Sequence, residues 1–60
     1  MFEYECKEIV VFYSDGNRFS ATNEDGLTVH IEGGWLTIKD GSKYINISTA
    51  KIDRFNVYTK

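Results

Sequence analysis

No proline occurs among the 60 residues, and cysteine, histidine and tryptophan occur once each. Each scarcity excludes something. Cys6 has no partner, so no internal disulfide can form, and a single free thiol fits a reducing compartment. Cys6 and His30 together fall short of the four Cys or His ligands a structural zinc site wants, so neither a metal nor a cofactor is expected. Nucleophilic catalysis needs a nucleophile, a base and a group that orients the base. His30 alone does not supply that set, and the acids lie mainly in turns and on strand exteriors, so the chain is not expected to be an enzyme. Asp15, Asp25 and Asp40 each precede or closely precede glycine, where a turn role suffices. Isolated in separate turns, they do not make a calcium loop.

Long apolar runs are missing too. The longest, "IVVFY" at residues 9–13, is the length of a strand and far short of the roughly 20 residues of a membrane-spanning helix. The first residues, "MFEYECKE", alternate in charge and do not read as a secretory leader. The expectation is a soluble, cytoplasmic protein with no membrane partner. Asn46-Ile47-Ser48 matches a glycosylation acceptor triplet but carries little weight without a leader.

What is present is a chain of hairpins. Valine, isoleucine, threonine and aromatic residues alternate with polar ones between clusters of Gly, Asp, Asn and Ser, and no helical period is sustained. The turn signals are "SDGN", "NEDG", "EGGW" and "KDGS". Taking Gly33-Gly34 as a two-residue loop pairs Ile31 with Leu36 and Val29 with Ile38. Gly41-Ser42 then pairs Ile38 with Ile45 and Leu36 with Ile47. A three-residue loop Glu24-Asp25-Gly26 pairs Ala21 with Val29 and Phe19 with Ile31. Asp15-Gly16 pairs Phe12 with Phe19 and Val10 with Ala21. In the first strand Phe2, Tyr4 and Cys6 alternate with Glu3, Glu5 and Lys7, but Glu8 falls on an inward position. A bulge near Lys7-Glu8 repairs this.

These choices predict a single all-β domain over residues 1–60, a bent antiparallel meander of five or six strands. "STAK" before "IDRFNVY" resembles the tight turn that precedes the last strand of SH3-like barrels. The last strand would then pair with the first, with Phe55 and Val57 inward and Ile52 at the entry. The resemblance extends to strand order and turn placement over most of the chain, and it implies closure into an SH3-like barrel. An OB-like barrel is the alternative, though it usually needs a mid-chain helix for which there is no room. No motif is diagnostic, so no family's functional residues carry over.

A core this small makes marginal stability the rule, which packing or self-association must offset. With Ile9, Val11 and Tyr13 turned outward by the register above, a homodimer burying these three is expected. The second hairpin pair presents a three-by-three exterior: Thr28, Lys39, Tyr44; His30, Thr37, Asn46; Glu32, Trp35, Ser48. Exposed Trp and Tyr give large contact area at low entropic cost. Trp35, Tyr44, Lys39, His30 and Asn46 are therefore the expected partner-binding residues, and another protein is the expected partner. Small acidic β proteins of this style are often carried by phages and mobile elements to bind and inhibit a host protein.

Two alternatives stay open. One is a single-stranded nucleic-acid-binding barrel that stacks bases on Trp35 and Tyr44 beside Lys39, Lys43 and Arg54. The sequence pI near 5.2 disfavours it, since phosphate contact wants a basic surface. The other is a structural homo-oligomer subunit pairing through sheet edges or the Ile9–Tyr13 face. Charge is also uneven along the chain. Residues 1–33 carry seven acidic and two basic residues, and residues 34–60 carry two acidic and five basic ones. Such asymmetry marks an anionic partner or head-to-tail assembly in some proteins, and means nothing where the halves interleave in space.

Overall fold

The structure is a computed structural model that describes residues 2–59, with the Phe2 side chain outside the described part. Five strands follow one another: β1 (Phe2–Tyr13), β2 (Arg18–Glu32), β3 (Trp35–Asp40), β4 (Lys43–Ser48) and β5 (Ile52–Tyr58). All lie in one antiparallel sheet in the order β4-β3-β2-β1-β5. A single 3-10 turn, Thr49–Lys51, precedes β5 at the position that "STAK" foretold. The all-β meander of five strands is as expected, and β5 pairs with β1. The hydrogen-bonded sheet is open, however, with β4 and β5 as its two edges.

The later hairpins have the registers read from the sequence. Gly33 and Gly34 have φ of 61° and 83°, the left-handed pair that a two-residue type I′ loop demands. Ile31 lies opposite Leu36 and Val29 opposite Ile38. Across the next loop Ile38 meets Ile45 and Leu36 meets Ile47.

The first hairpin differs by one residue, and the difference inverts a strand. The loop is Ser14-Asp15-Gly16, not Asp15-Gly16. Tyr13 N–H donates to the Asn17 carbonyl at 2.8 Å and Gly16 N–H to the Tyr13 carbonyl at 3.1 Å. Gly16 takes φ 94°, the left-handed residue of a bulged three-residue loop. The Asp15 carboxylate accepts from Asn17 N–H at 2.9 Å and from its Nδ2 at 3.1 Å, which fixes the turn. Phe12 therefore faces Arg18, Val11 faces Phe19 and Ile9 faces Ala21. A one-residue slip exchanges the two faces of a strand. Ile9 and Val11, expected outside, are fully buried, and Val10 and Phe12 stand on the exterior.

The expected hairpin at Glu24-Asp25-Gly26 does not form. Those residues lie inside β2, a single strand of 15 residues that pairs with β1 along both of its halves. Ala21 does not meet Val29, nor Phe19 Ile31. Asn23 accounts for the local geometry without a chain reversal. Its side-chain oxygen accepts from Asp25 N–H at 2.9 Å, and its Nδ2 donates to Asp40 Oδ1 at 2.6 Å. The irregularity foreseen near Lys7-Glu8 is present as a register shift between Cys6 and Glu8. Its effect is to place Lys7 and Glu8 consecutively outside the core, so that the inward set passes from Cys6 to Ile9 and Val11. The apolar residues of β2, namely Phe19, Ala21, Leu27, Val29 and Ile31, pack on the core, while Asp25 at the bend between them is exposed.

The shift divides the sheet into two halves whose apolar faces enclose the core. One half is the start of β1 with the end of β2, β3 and β4. The other is the end of β1 with the start of β2 and β5. Cys6, Ile9, Val11, Leu27, Val29, Leu36, Ile38 and Ile47 form the buried centre, flanked by Phe19, Ile45, Phe55 and Val57 among others. Full burial of each large aliphatic side chain contributes about 1.5–3 kcal/mol. Tyr4 meets Phe55 edge-on, ring centroids 6.2 Å apart, and ties the two halves together.

Candidate protein-interaction face

On the four-stranded half, the residues that alternate with the core line up in rows set by the pairing. Thr28, Lys39 and Tyr44 form one row; His30, Thr37 and Asn46 the next; Glu32, Trp35 and Ser48 the third. Trp35, Tyr44, Lys39, His30 and Asn46 thus share one surface. Two residues of β1 extend the rows: Glu5 pairs with Thr28 and Glu3 with His30. Sequence reasoning missed this fourth column. The alternation of Glu3 and Glu5 with Tyr4 and Cys6 was legible, but the supposed hairpin at residues 24–26 hid which strand β1 would join.

The face has two open aromatic rings and a tied polar centre. Trp35 is 52% exposed and Tyr44 62%. Ser48, the small neighbour of Trp35, leaves the indole uncovered on its β4 side. The Lys39 ammonium lies 5.9 Å from the Tyr44 ring centroid, within cation–π range. Thr37 Oγ1 donates to Asn46 Oδ1 at 2.7 Å. His30 sits between two carboxylates, with Nε2 3.0 Å from Glu32 Oε1 and Nδ1 3.8 Å from Glu3 Oε2. The hydrogen bond from His30, and then the imidazole's charge, hold the Glu32 carboxyl below its ordinary range. Among the described residues, no hydroxyl or thiol nucleophile is hydrogen-bonded to His30.

The relief is shallow. A hollow of about 370 Å³ lies between Trp35, Thr37 and Asn46. On the far side of Trp35 a groove of about 420 Å³ runs between the end of β4 and the tip of the first hairpin, walled by Tyr13, Asp15, Asn17, Ser48 and Lys51. The hairpin tip is held there by Ser14 N–H donating to the Lys51 carbonyl at 2.9 Å. Among the described residues, no group of three His, Cys, Asp or Glu side chains is placed to hold a metal ion. Cys6 is in the core, where burial pushes its thiol pKa up and leaves it a poor nucleophile.

The expected dimer face is corrected by burial. Ile9 and Val11 belong to the core and cannot meet a partner. Tyr13 is half-buried against the core and reaches the groove beside Trp35. In their place, Val10 and Phe12 stand on the exterior of the three-stranded half. Phe12 lies between both arginines of the chain, Arg18 on β2 and Arg54 on β5. The Arg54 guanidinium covers the Phe12 ring at 4.6 Å. Arg54 is therefore on a different surface from Trp35 and Tyr44, and the residues of the nucleic-acid reading do not share a face.

No helix among the described residues is long and apolar enough to cross a membrane. No protein-family model matches the chain, and neither a curated protein nor a solved structure matches it.

Proposed function

We propose that the chain is a non-catalytic protein-binding module whose contact surface is the exterior of β2, β3 and β4, with Trp35 and Tyr44 as its two anchoring side chains. The observation that carries this reading is their exposure on one face, 52% and 62%. Aromatic residues that present large rigid area are the type that dominates interface energetics. Asn46 lies between them, Lys39 beside Tyr44 and His30 on the neighbouring strand β2, as polar contacts. A module of this kind acts by occupancy, as an inhibitor of its target does.

The test is an affinity pull-down of the tagged chain from a lysate of its source cells, with and without nuclease, read by mass spectrometry. One stoichiometric protein that survives nuclease and is lost with Trp35→Ala and Tyr44→Ala supports the reading. Binding indifferent to both substitutions removes it, and recovery of nucleic acid replaces it with the alternative.

A further inference from the structure

The two sheet edges are defended differently. β5 carries Asp53 and Arg54 near its start, and its register against β1 shifts between Phe12 and Tyr13. Charge and irregularity are common means of keeping an edge from adding strands. β4 has little of either. Its pairing with β3 runs unbroken from Asp40–Lys43 to Trp35–Ser48, and its only charge, Lys43, sits beside the turn. The pair that flanks a two-residue hairpin loop is hydrogen-bonded, and so is every second pair beyond it. With Gly41-Ser42 as the loop, Lys43, Ile45 and Ile47 bond to β3. The N–H and C=O groups of Tyr44, Asn46 and Ser48 are left pointing out of the sheet.

We propose that this edge pairs with the same edge of a second copy, antiparallel, about a two-fold axis at Asn46. In that register Asn46 faces Asn46 of the second copy and Tyr44 faces Ser48 of the second copy, so all three open residues of each copy are used. On the core side Ile45 comes opposite Ile47 of the second copy, apolar against apolar. Sliding the strands by two residues loses a bonded pair and sets Ile47 against Lys43, or Ile45 against Thr49. Register is strongly specified where one face is apolar, and only the Asn46-centred register satisfies both conditions.

In the same register Lys43 of the second copy comes opposite Thr49, the residue that follows β4. Tyr44 of the second copy comes next to Ser48 and the Trp35 indole, so the exteriors of two copies merge into one surface with aromatic residues along its seam. A contact of this symmetry closes at two copies, and the guarded β5 edge stops the sheet from growing further. The paired segments are six residues long, so the dimer belongs to the weak, small-interface class.

Sedimentation velocity on the full chain across a concentration series tests this. The expected result is a monomer-to-dimer transition with nothing larger. Asn46→Lys sets two ammonium groups face to face on the axis and should move the midpoint about tenfold or more to higher concentration. An unchanged circular dichroism spectrum and melting temperature verify that β4 still forms. A chain that stays monomeric to about 1 mM overturns the proposal and hands the edge to an extended segment of a different protein. A dimer indifferent to Asn46→Lys, or association that runs past two copies, overturns it as well. None of these readouts depends on the identity of a partner for Trp35 and Tyr44.

Discussion

The bent sheet treats Phe12 on its three-stranded half and the Trp35–Tyr44 pair on its four-stranded half in opposite ways. On the three-stranded half Phe12 is half-buried under the Arg54 guanidinium, with Arg18 on its other side. On the four-stranded half Trp35 and Tyr44 stand more than half exposed, and the carboxylates of Glu3, Glu5 and Glu32 share their face. The first arrangement is self-contained: the chain covers its own apolar surface with the stem and head of an arginine. The second leaves apolar area in water. An aromatic side chain therefore has to be judged by what lies over it: Trp35 and Tyr44 leave open area, as Tyr58 on β5 does at 45% exposure, whereas Phe12 does not.

The largest effect that can break this comparison concerns which phase of β1 faces the core. Ile9→Ala should cost about 2–5 kcal/mol of stability, the range for emptying a packed site. Val10→Ala, on the exterior of the same strand, should cost well under 1 kcal/mol. Urea unfolding of both variants decides it, and equal losses would mean that β1 is not ordered as described. Next comes the proposed contact with a partner protein. Trp35→Ala should weaken partner binding by about 2 kcal/mol or more and leave the urea midpoint nearly unchanged. Phe12→Ala should do the reverse, since its ring is already occupied by Arg54. Titration calorimetry beside urea melts separates the two.

Smaller effects sharpen the picture. Gly16→Ala forces a side chain into the left-handed loop position at φ 94° and should cost about 1–2 kcal/mol. Since a Cβ there would meet nothing within 4 Å, the loss is conformational, and Gly16→Asn should recover part of it. The smallest effect is that of pH on the four-stranded half. Glu32 is held below the ordinary glutamate value of 4.5 by its hydrogen bond with His30. A lowered carboxyl pKa stabilises the folded chain above the ordinary value, and that contribution disappears as pH falls through the lowered one. Glu32→Gln should therefore flatten the acid limb of a stability-against-pH curve slightly, and Asp15→Asn, far from His30, should not reproduce the change.

The contrast between the halves also explains what was legible in the sequence. In β2 through β4 the apolar residues Leu27, Val29, Ile31, Leu36, Ile38, Ile45 and Ile47 occupy one phase only, so alternation and glycine placement pointed to one register. The rows of the candidate face followed from that. In "IVVFY" both phases are apolar, and alternation is silent. The decision passes to the turn, where Ser14-Asp15-Gly16 and Asp15-Gly16 are both plausible loops and differ by the one residue that inverts the strand. "NEDG" failed for a related reason. Its composition is that of a turn, but the sheet needs a bend at that point, and Asn23 supplies it through bonds to Asp25 and Asp40. A local signal for chain reversal is indistinguishable from one for chain bending until the partner strand is known.

The pairing of β1 with β5 has a consequence in time. Val11 lies against Phe55 and Ile9 against Val57, contacts that span 44 and 48 residues of chain. The hairpins from β2 to β4 involve only neighbours along the sequence and can form quickly, whereas distant pairings are slow to close. While the chain is being synthesised, Ile9 and Val11 emerge before β5 and wait, uncovered on one flank, until β5 has left the ribosome. For that interval the apolar run of β1 is open to wrong partners, as unpaired strand edges are in folding intermediates.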